Sequence, residues 1–364
     1  MSCTRRLRIA SFCLASISLV AAIACNSSSK QSSQAITITG AGSTFIAPAM
    51  TRWISDFQAS HPGVQINYQS IGSGGGIQQL KQGLVDFGAS DAALDDEKLK
   101  DMPPLVQIPE SGGPVCITYN LPELKSPLKL SGATLARIYL GGIKSWQDPS
   151  IQKDNEAVGL PNRPIAVVHR SDGSGTTNIF TMYLSKASQN WSSKVGQGIS
   201  VSWPVGVGGK GSDGVTETVK QTSGSIGYVE LAYAKANSLP VAEVHNQAGG
   251  WIEPTAAAAT AAIDAFQQEL TNDARTPVVD PPASAREAYP ISGLTYLLVP
   301  TQAKEESKQQ ILKEFVQYII SEGQAAAQGL QYATLPLSLA GQDQRLLGEI
   351  QDSGQGAGAQ PGSK

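Results

Sequence analysis

The chain has 364 residues, 41% of them hydrophobic and 16% charged, with 37 glycines, 21 prolines and a formal net charge of −3. That length exceeds what one small core requires and fits two domains of ordinary size, and the apolar fraction is that of a globular protein rather than a disordered one. The acidic balance argues against a nucleic-acid partner, which needs a basic patch. A small anionic ligand stays open, because charges are screened beyond about 8 Å and short hydrogen bonds decide its binding.

The first 24 residues read as a secretory signal. Arg5, Arg6 and Arg8 precede an apolar run from Ile9 to Ile23 that is too short and wrongly flanked for a membrane span. The run ends Ala22-Ile23-Ala24-Cys25. Ala-x-Ala suits ordinary signal peptidase, and small residues before a cysteine also resemble a bacterial lipobox, in which Cys25 is acylated. The lipobox is preferred, although Ala22 stands where Leu or Val is usual; both cuts export the protein. Losing the three arginines takes the mature charge to about −6. Residues 25–34 are polar and Ser-rich, as a flexible tether would be. Cys3 and Cys13 leave with the signal, so beyond Cys25 only Cys116 remains. It lies in the apolar run Val115-Cys116-Ile117, as a buried small hydrophobe rather than half of a disulfide.

Ala35 to Thr39 alternates as a strand does, and a Gly turn leads into a helix with Met50, Trp53, Ile54 and Phe57 on one face. His61-Pro62-Gly63 stops it, and Val64 to Tyr68 is a second strand. Gly72 to Gly76 opens a helix carrying Ile77, Leu80 and Leu84, followed by a short strand over 85–89 that ends at Ser90-Asp91. The pattern recurs with a strand at Ile165–Val168, a Gly turn and a helix from about Thr177 to Ser185. A late strand covers 291–299, and the next helix places Ile311, Leu312, Phe315 and Ile319 on one face. Strands alternating with helices predict an α/β protein with parallel strands. The Gly/Ser/Gln-rich tail over 351–364 reads as disordered.

Three strand-to-helix junctions share one chemistry: Gly42-Ser43-Thr44-Phe45, Gly72-Ser73-Gly74-Gly75 and Gly173-Ser174-Gly175-Thr176. The first turn of a helix has unpaired N–H donors and partial positive charge, so it can hold an anion. Glycine admits close approach, and Ser or Thr adds a hydroxyl donor. In open α/β sheets ligands sit beyond the carboxyl ends of strands, where these junctions lie. One such turn alone is usually just an N-cap. Arg170 beside the third junction can fork two donors onto an oxyanion, with Asp172 placed to hold its guanidinium.

Four segments together, 40–45, 71–75, 85–92 and 170–176, closely resemble the substrate-binding protein of the phosphate-specific ABC transporter. Shorter similar stretches are Ile138–Gly141, Trp203–Gly206 running to Gly214, and Ile226–Glu230. The resemblance spans about residues 35–340. It implies a two-lobed periplasmic-binding-protein fold of type II, with 35–112 plus 289–350 in lobe I, 113–288 in lobe II, and hinge crossovers between them. It also implies that Thr44, Phe45 (backbone N–H), Ser73 and Asp91 bind inorganic phosphate from the first lobe, and Arg170, Ser174, Gly175 (backbone N–H) and Thr176 from the second. Ser43 departs from relatives that carry Ala there but leaves Thr44 and Phe45 in register. His169, where relatives often have a second basic residue, would only trim the positive charge nearby. Asp91 fits an anion site because phosphate retains a proton to donate, whereas sulfate would set acceptor against acceptor; such sites reject the analogue lacking the hydrogen by about 10⁴–10⁵. The partners implied are an ABC importer permease and, through Cys25, the membrane of the cell envelope, for a monomer without metal or cofactor.

Rival readings are weaker. Gly206-Val207-Gly208-Gly209-Lys210-Gly211 matches G-x-G-x-x-G, but Ser212-Asp213-Gly214 is a poor helix opening for a dinucleotide site, and Gly211 stands where a phosphate-binding P-loop needs Ser or Thr. His61, His169 and His245 lack metal-ligand spacing. A hydrolase or phosphoesterase using Ser174 would need glycine where Asp172 stands. Binding of sulfate or molybdate instead of phosphate is disfavoured by Asp91.

Overall fold

The computed structural model describes residues 35–350 apart from 157, 303 and 304. The expected signal, the tether with Cys25 and the tail over 351–364 lie outside the described residues. Among the described residues eleven strands follow in chain order: β1 (Ile36–Gly42), β2 (Val64–Ser70), β3 (Phe87–Ser90), β4 (Leu105–Tyr119), β5 (Lys129–Leu130), β6 (Ala166–Arg170), β7 (Val207–Gly209), β8 (Ser225–Glu230), β9 (Glu243–His245), β10 (Trp251–Ile252) and β11 (Ser292–Pro300). Eight form one sheet in the order β2-β1-β3-β11-β4-β8-β6-β7, and β10-β9-β5 form a second.

The α/β expectation holds, but the main sheet is mixed rather than parallel. Parallel pairing joins β1 to β2 and β3, and β6 to β7 and β8. Between these groups β11 runs antiparallel to β3 and β4, and β4 antiparallel to β8. β4 spans 15 residues: Leu105–Pro114 pairs with β11, and Val115–Tyr119 with β8. It therefore carries one backbone ladder through the middle of the sheet and fixes the parallel groups on either side of it. Cys116 lies fully buried in β4.

The helix Ala47–Ser60 buries Met50, Trp53 and Phe57, the face its spacing predicts. The helix Glu306–Ile320 likewise buries Leu312, Phe315 and Ile319, and Phe315 meets Phe57 edge-on, ring centroids 5.1 Å apart. Burying such side chains contributes about 1.5–3 kcal/mol each, enough to seat the first helix against β2 and the second against β1. Leu84 departs from expectation. The helix Ser73–Lys81 ends before it, Gly83 turns the chain at φ +65°, and Leu84 is 63% exposed. The helix predicted from Thr177 starts at Gly175 and runs to Ala187.

Candidate oxyanion-binding site

β1, β2, β6 and β7 deliver their carboxyl ends to one place, each followed by a short turn and then a helix N-terminus. Ser174 caps the helix Gly175–Ala187, its hydroxyl oxygen accepting the Thr177 amide at 3.1 Å. Gly72 precedes the helix Ser73–Lys81 at φ +86°. A Cβ there would lie 2.2 Å from Asp172 Oδ2 and 2.7 Å from the Gly173 carbonyl, so glycine is required both by conformation and by space.

The predicted residues from the two parallel groups meet. The Gly74 amide donates to the Gly173 carbonyl at 2.9 Å. Ser73 Oγ accepts the amides of Gly175 (3.1 Å) and Asp91 (3.3 Å), which leaves its own proton free to donate. Thr176 Oγ1 donates to Asp91 Oδ2 at 3.3 Å, and the Ser43 hydroxyl donates to Asp91 Oδ1. Thr44, Ser73, Asp91, Arg170, Ser174 and Thr176 are each at most 4% exposed. Phe45 is also buried, and its amide donates to Ser43 Oγ at 3.0 Å. All eight predicted ligand positions thus fall in one cluster.

Electrostatics in the cluster are set by two carboxylates and one guanidinium. Arg170 Nε and Nη2 fork onto Asp172 Oδ1 and Oδ2 at 2.8 and 2.6 Å, with the Arg170 side chain 1% exposed. Burial pushes the Asp172 carboxyl upward, but Arg170 and the Gly211 amide, 2.9 Å from Oδ1, outweigh it and hold it below the usual range. Asp91 behaves oppositely. Burial raises it to about 6, against the hydrogen bond from Ser43, the charge of Arg170 and the hydroxyls of Thr295 and Thr176. A buried carboxylate ready to share a proton therefore sits beside a permanent cation.

The sequence reading missed several contributors. The helix Gly211–Gln221 does open at Gly211, contrary to expectation. Asp172 accepts its first amide, and Thr44 Oγ1 accepts the Ser212 amide at 3.3 Å and contacts Ser212 Oγ at 2.8 Å. The glycine-rich run 206–211 is thus spent on closing this site. Tyr68 and Tyr332 hydroxyls donate to the Ser43 and Phe45 carbonyls at 2.8 and 2.6 Å and pin the first junction. His169 stays outside, stacked on Trp203 with ring centroids 4.8 Å apart. A cavity of about 40 Å³ borders Asp91 and Asn178. A groove of about 790 Å³ beside Phe57 and Tyr318 holds none of the predicted residues, so convergent donors, not the size of a hollow, mark the site. Among the described residues no three His, Cys, Asp or Glu side chains group as a metal needs, and no helix is long and apolar enough to cross a membrane.

Fold and site bring two sets of strand ends together around one buried carboxylate and one guanidinium, a donor-rich setting suited to a small oxyanion, and residues 27–323 match the PBP superfamily domain. Phosphate-binding protein PstS of Xylella fastidiosa (strain Temecula1) is 42% identical over 312 residues, 85% of each chain. Phosphate-binding protein PstS of Haemophilus influenzae is 43% identical over 304 residues, 83% of this chain and 90% of its own. A solved high affinity periplasmic phosphate-binding protein bound with phosphate superposes with a TM-score of 0.67 at 22% identity, over 85% of this chain and 93% of that one. The fold is that of the type II periplasmic binding proteins. The chain belongs to the phosphate-binding protein PstS family.

Proposed function

We infer that this chain binds inorganic phosphate and delivers it to an ABC importer. The observation that carries the reading is Asp91, a buried carboxylate that accepts from Ser43 and Thr176 beside buried Arg170. An anion site that spends its central acceptor this way suits an oxyanion with its own proton. Thr44, Ser73, Asp91 and the Phe45 amide are the ligands from one lobe, and Arg170, Ser174, Thr176 and the Gly175 amide from the other. Lobe I comprises 35–112 plus 289–350, lobe II 113–288, and β4 and β11 serve as the hinge. Opening separates the junctions; closure reassembles them around the ligand.

The chain is exported by the segment 1–24 and tethered through a lipid on Cys25, works as a monomer in the cell envelope, and releases phosphate at a membrane permease. It acts as a carrier rather than an enzyme: Ser174 Oγ accepts the Thr177 amide as a helix cap, and among the described residues no His is hydrogen-bonded to it as a general base would be. Paired calorimetric titrations with phosphate and sulfate test the reading. Tight phosphate binding with sulfate excluded at neutral pH is expected. Equal affinities, or sulfate binding more tightly, would replace phosphate with another oxyanion, and turnover of a phosphate ester would make it an enzyme.

A further inference from the structure

Behind the ligand cluster lies a second carboxyl that the binding reading does not use. Glu110 is fully buried in β4. The β4–β11 register shifts there: Thr295 faces Ser111 and Tyr296 faces Pro109, so Glu110 stands opposite no residue of β11. Bulges of this kind re-aim a side chain. Glu110 Oε1 lies 3.0 Å from Thr295 Oγ1, while Oε2 has no partner among the described residues. The Thr295 hydroxyl also lies near enough to Asp91 to favour its ionised form.

Thr295 therefore stands between two buried carboxyls with one hydroxyl proton. If both acids are ionised, that proton serves one of them and deprives the other. If Glu110 is protonated, its O–H donates to Thr295 Oγ1 and the Thr295 proton turns to Asp91, so every donor has an acceptor. A neutral carbonyl at Oε2 is also far less costly to leave unpartnered than a carboxylate oxygen. The groups facing Glu110 offer no relief. Asp91 is acidic, and the Tyr68 and Tyr332 hydroxyls are committed to backbone carbonyls. Glu230, at the end of β8, is itself buried and adds to the negative field on Asp91 and Tyr332. Arg170, the cation bearing on Asp91, is committed to Asp172.

We propose that Glu110 is a proton-bearing positioning residue, whose O–H orients Thr295 so that the Thr295 hydroxyl supports Asp91 when Asp91 receives phosphate. The proposal rests on the phosphate-binding reading. Burial pushes the Glu110 carboxyl up to about 8, opposed by the Thr295 hydrogen bond and aided by the charge of Asp91, so the chain of donors holds at neutral pH and fails in alkali. Ionised Glu110 would then pull Thr295 away from Asp91 and put another negative charge behind the ligand.

The test is phosphate affinity by calorimetry from about pH 6.5 to 9.5, for the full chain and for Glu110→Gln, whose amide donates to Thr295 at every pH. Taking the ratio of the two dissociation constants cancels the titration of phosphate itself. The ratio is expected to stay level below about pH 8 and to rise about tenfold by pH 9.5, in the sense of the native chain weakening; an unpaired buried acceptor supplies an effect of that size. Glu110→Leu serves in its place should the amide variant not fold. Infrared difference spectra provide a second reading: the native chain minus either variant should show a protonated-acid carbonyl band at pH 7 that vanishes in alkali. A flat ratio, or the absence of that band, overturns the proposal while native phosphate binding at pH 7 leaves the function standing. Failure of the native chain to bind phosphate at pH 7 sinks the function and the proposal with it.

Discussion

Sulfate provides the sharpest probe of Asp91, because it stays fully ionised where Asp91 titrates. A sulfate oxygen can sit against Asp91 only if the carboxyl carries a proton, so sulfate binding must take up that proton. With Asp91 raised to about 6 by burial, the sign is fixed. Below about pH 6 the free site already holds the proton and sulfate affinity should be level. Above it, each pH unit costs about 1.4 kcal/mol, a tenfold loss. At about pH 8 the native chain should thus bind sulfate about 100-fold more weakly than at acid pH, a difference of about 2.7 kcal/mol. Asp91→Asn replaces the titrating acid by a permanent donor of the same shape. It should bind sulfate at about pH 8 as the native chain does at acid pH, with no dependence on pH, while phosphate loses its acceptor and weakens. Isothermal titration at several pH values, repeated in buffers of different ionisation enthalpy, reads both the affinity and the proton taken up. A native sulfate affinity that is flat between about pH 5 and 8 would refute the reasoning, as would a pH slope that survives in Asp91→Asn.

Three further outcomes follow from the same geometry. Arg170→Ala removes a buried charge and strands Asp172, so phosphate binding by calorimetry should weaken by about 2–5 kcal/mol. Gly175→Ala puts a Cβ 2.6 Å from Asp91 Cβ; overpacking of that kind costs about 1–3 kcal/mol and falls on the closed arrangement, so phosphate affinity should drop about 5- to 150-fold with little change in the melting temperature measured without phosphate. Ser212→Ala deletes a hydroxyl that contacts Thr44 Oγ1 at 2.8 Å, and should weaken phosphate about fivefold, the scale of one net hydrogen bond, seen as faster release in stopped flow.

Local rules account for most of what could be read from the sequence. A Gly-Ser turn ahead of a helix is written in neighbouring residues, which is why the junctions at Ser43, Ser73 and Ser174 were legible as donor-rich ends. Pattern alone did not bring them together; the family resemblance did, and the cluster around Asp91 is where the strand ends meet. What was missed is long-range. The amide of Gly211 is satisfied by Asp172, 39 residues earlier, so no propensity of Ser212-Asp213-Gly214 could announce the helix they open. Leu84 fits the apolar spacing of Ile77 and Leu80, but the left-handed Gly83 ends the pattern first. The antiparallel course of β4 and β11 depends on how chain segments 170 or more residues apart return to one sheet, which alternation cannot express. Glu110 is the extreme case: a single acidic residue between Pro109 and Ser111, meaningful only through the bulge that faces it toward Thr295.

The cross-cluster bonds bear on affinity as well as on shape. Five hydrogen bonds join the junctions directly: Gly74 to Gly173, Gly175 to Ser73, Thr176 to Asp91, and both the amide and the hydroxyl of Ser212 to Thr44. At about 0.5–1.5 kcal/mol each, they offer about 2.5–7.5 kcal/mol toward holding the two sets of strand ends together without drawing on the ligand. A ligand that binds only the assembled cluster has its apparent affinity reduced by the fraction of molecules so assembled. These bonds therefore act on phosphate through that fraction, and they do so without discriminating between oxyanions. Discrimination is left to the one group that is both buried and able to exchange a proton near neutrality. Tightness and selectivity are in this way assigned to different residues, so a change at Ser212 should move the affinities for phosphate and sulfate together, and a change at Asp91 should move them apart.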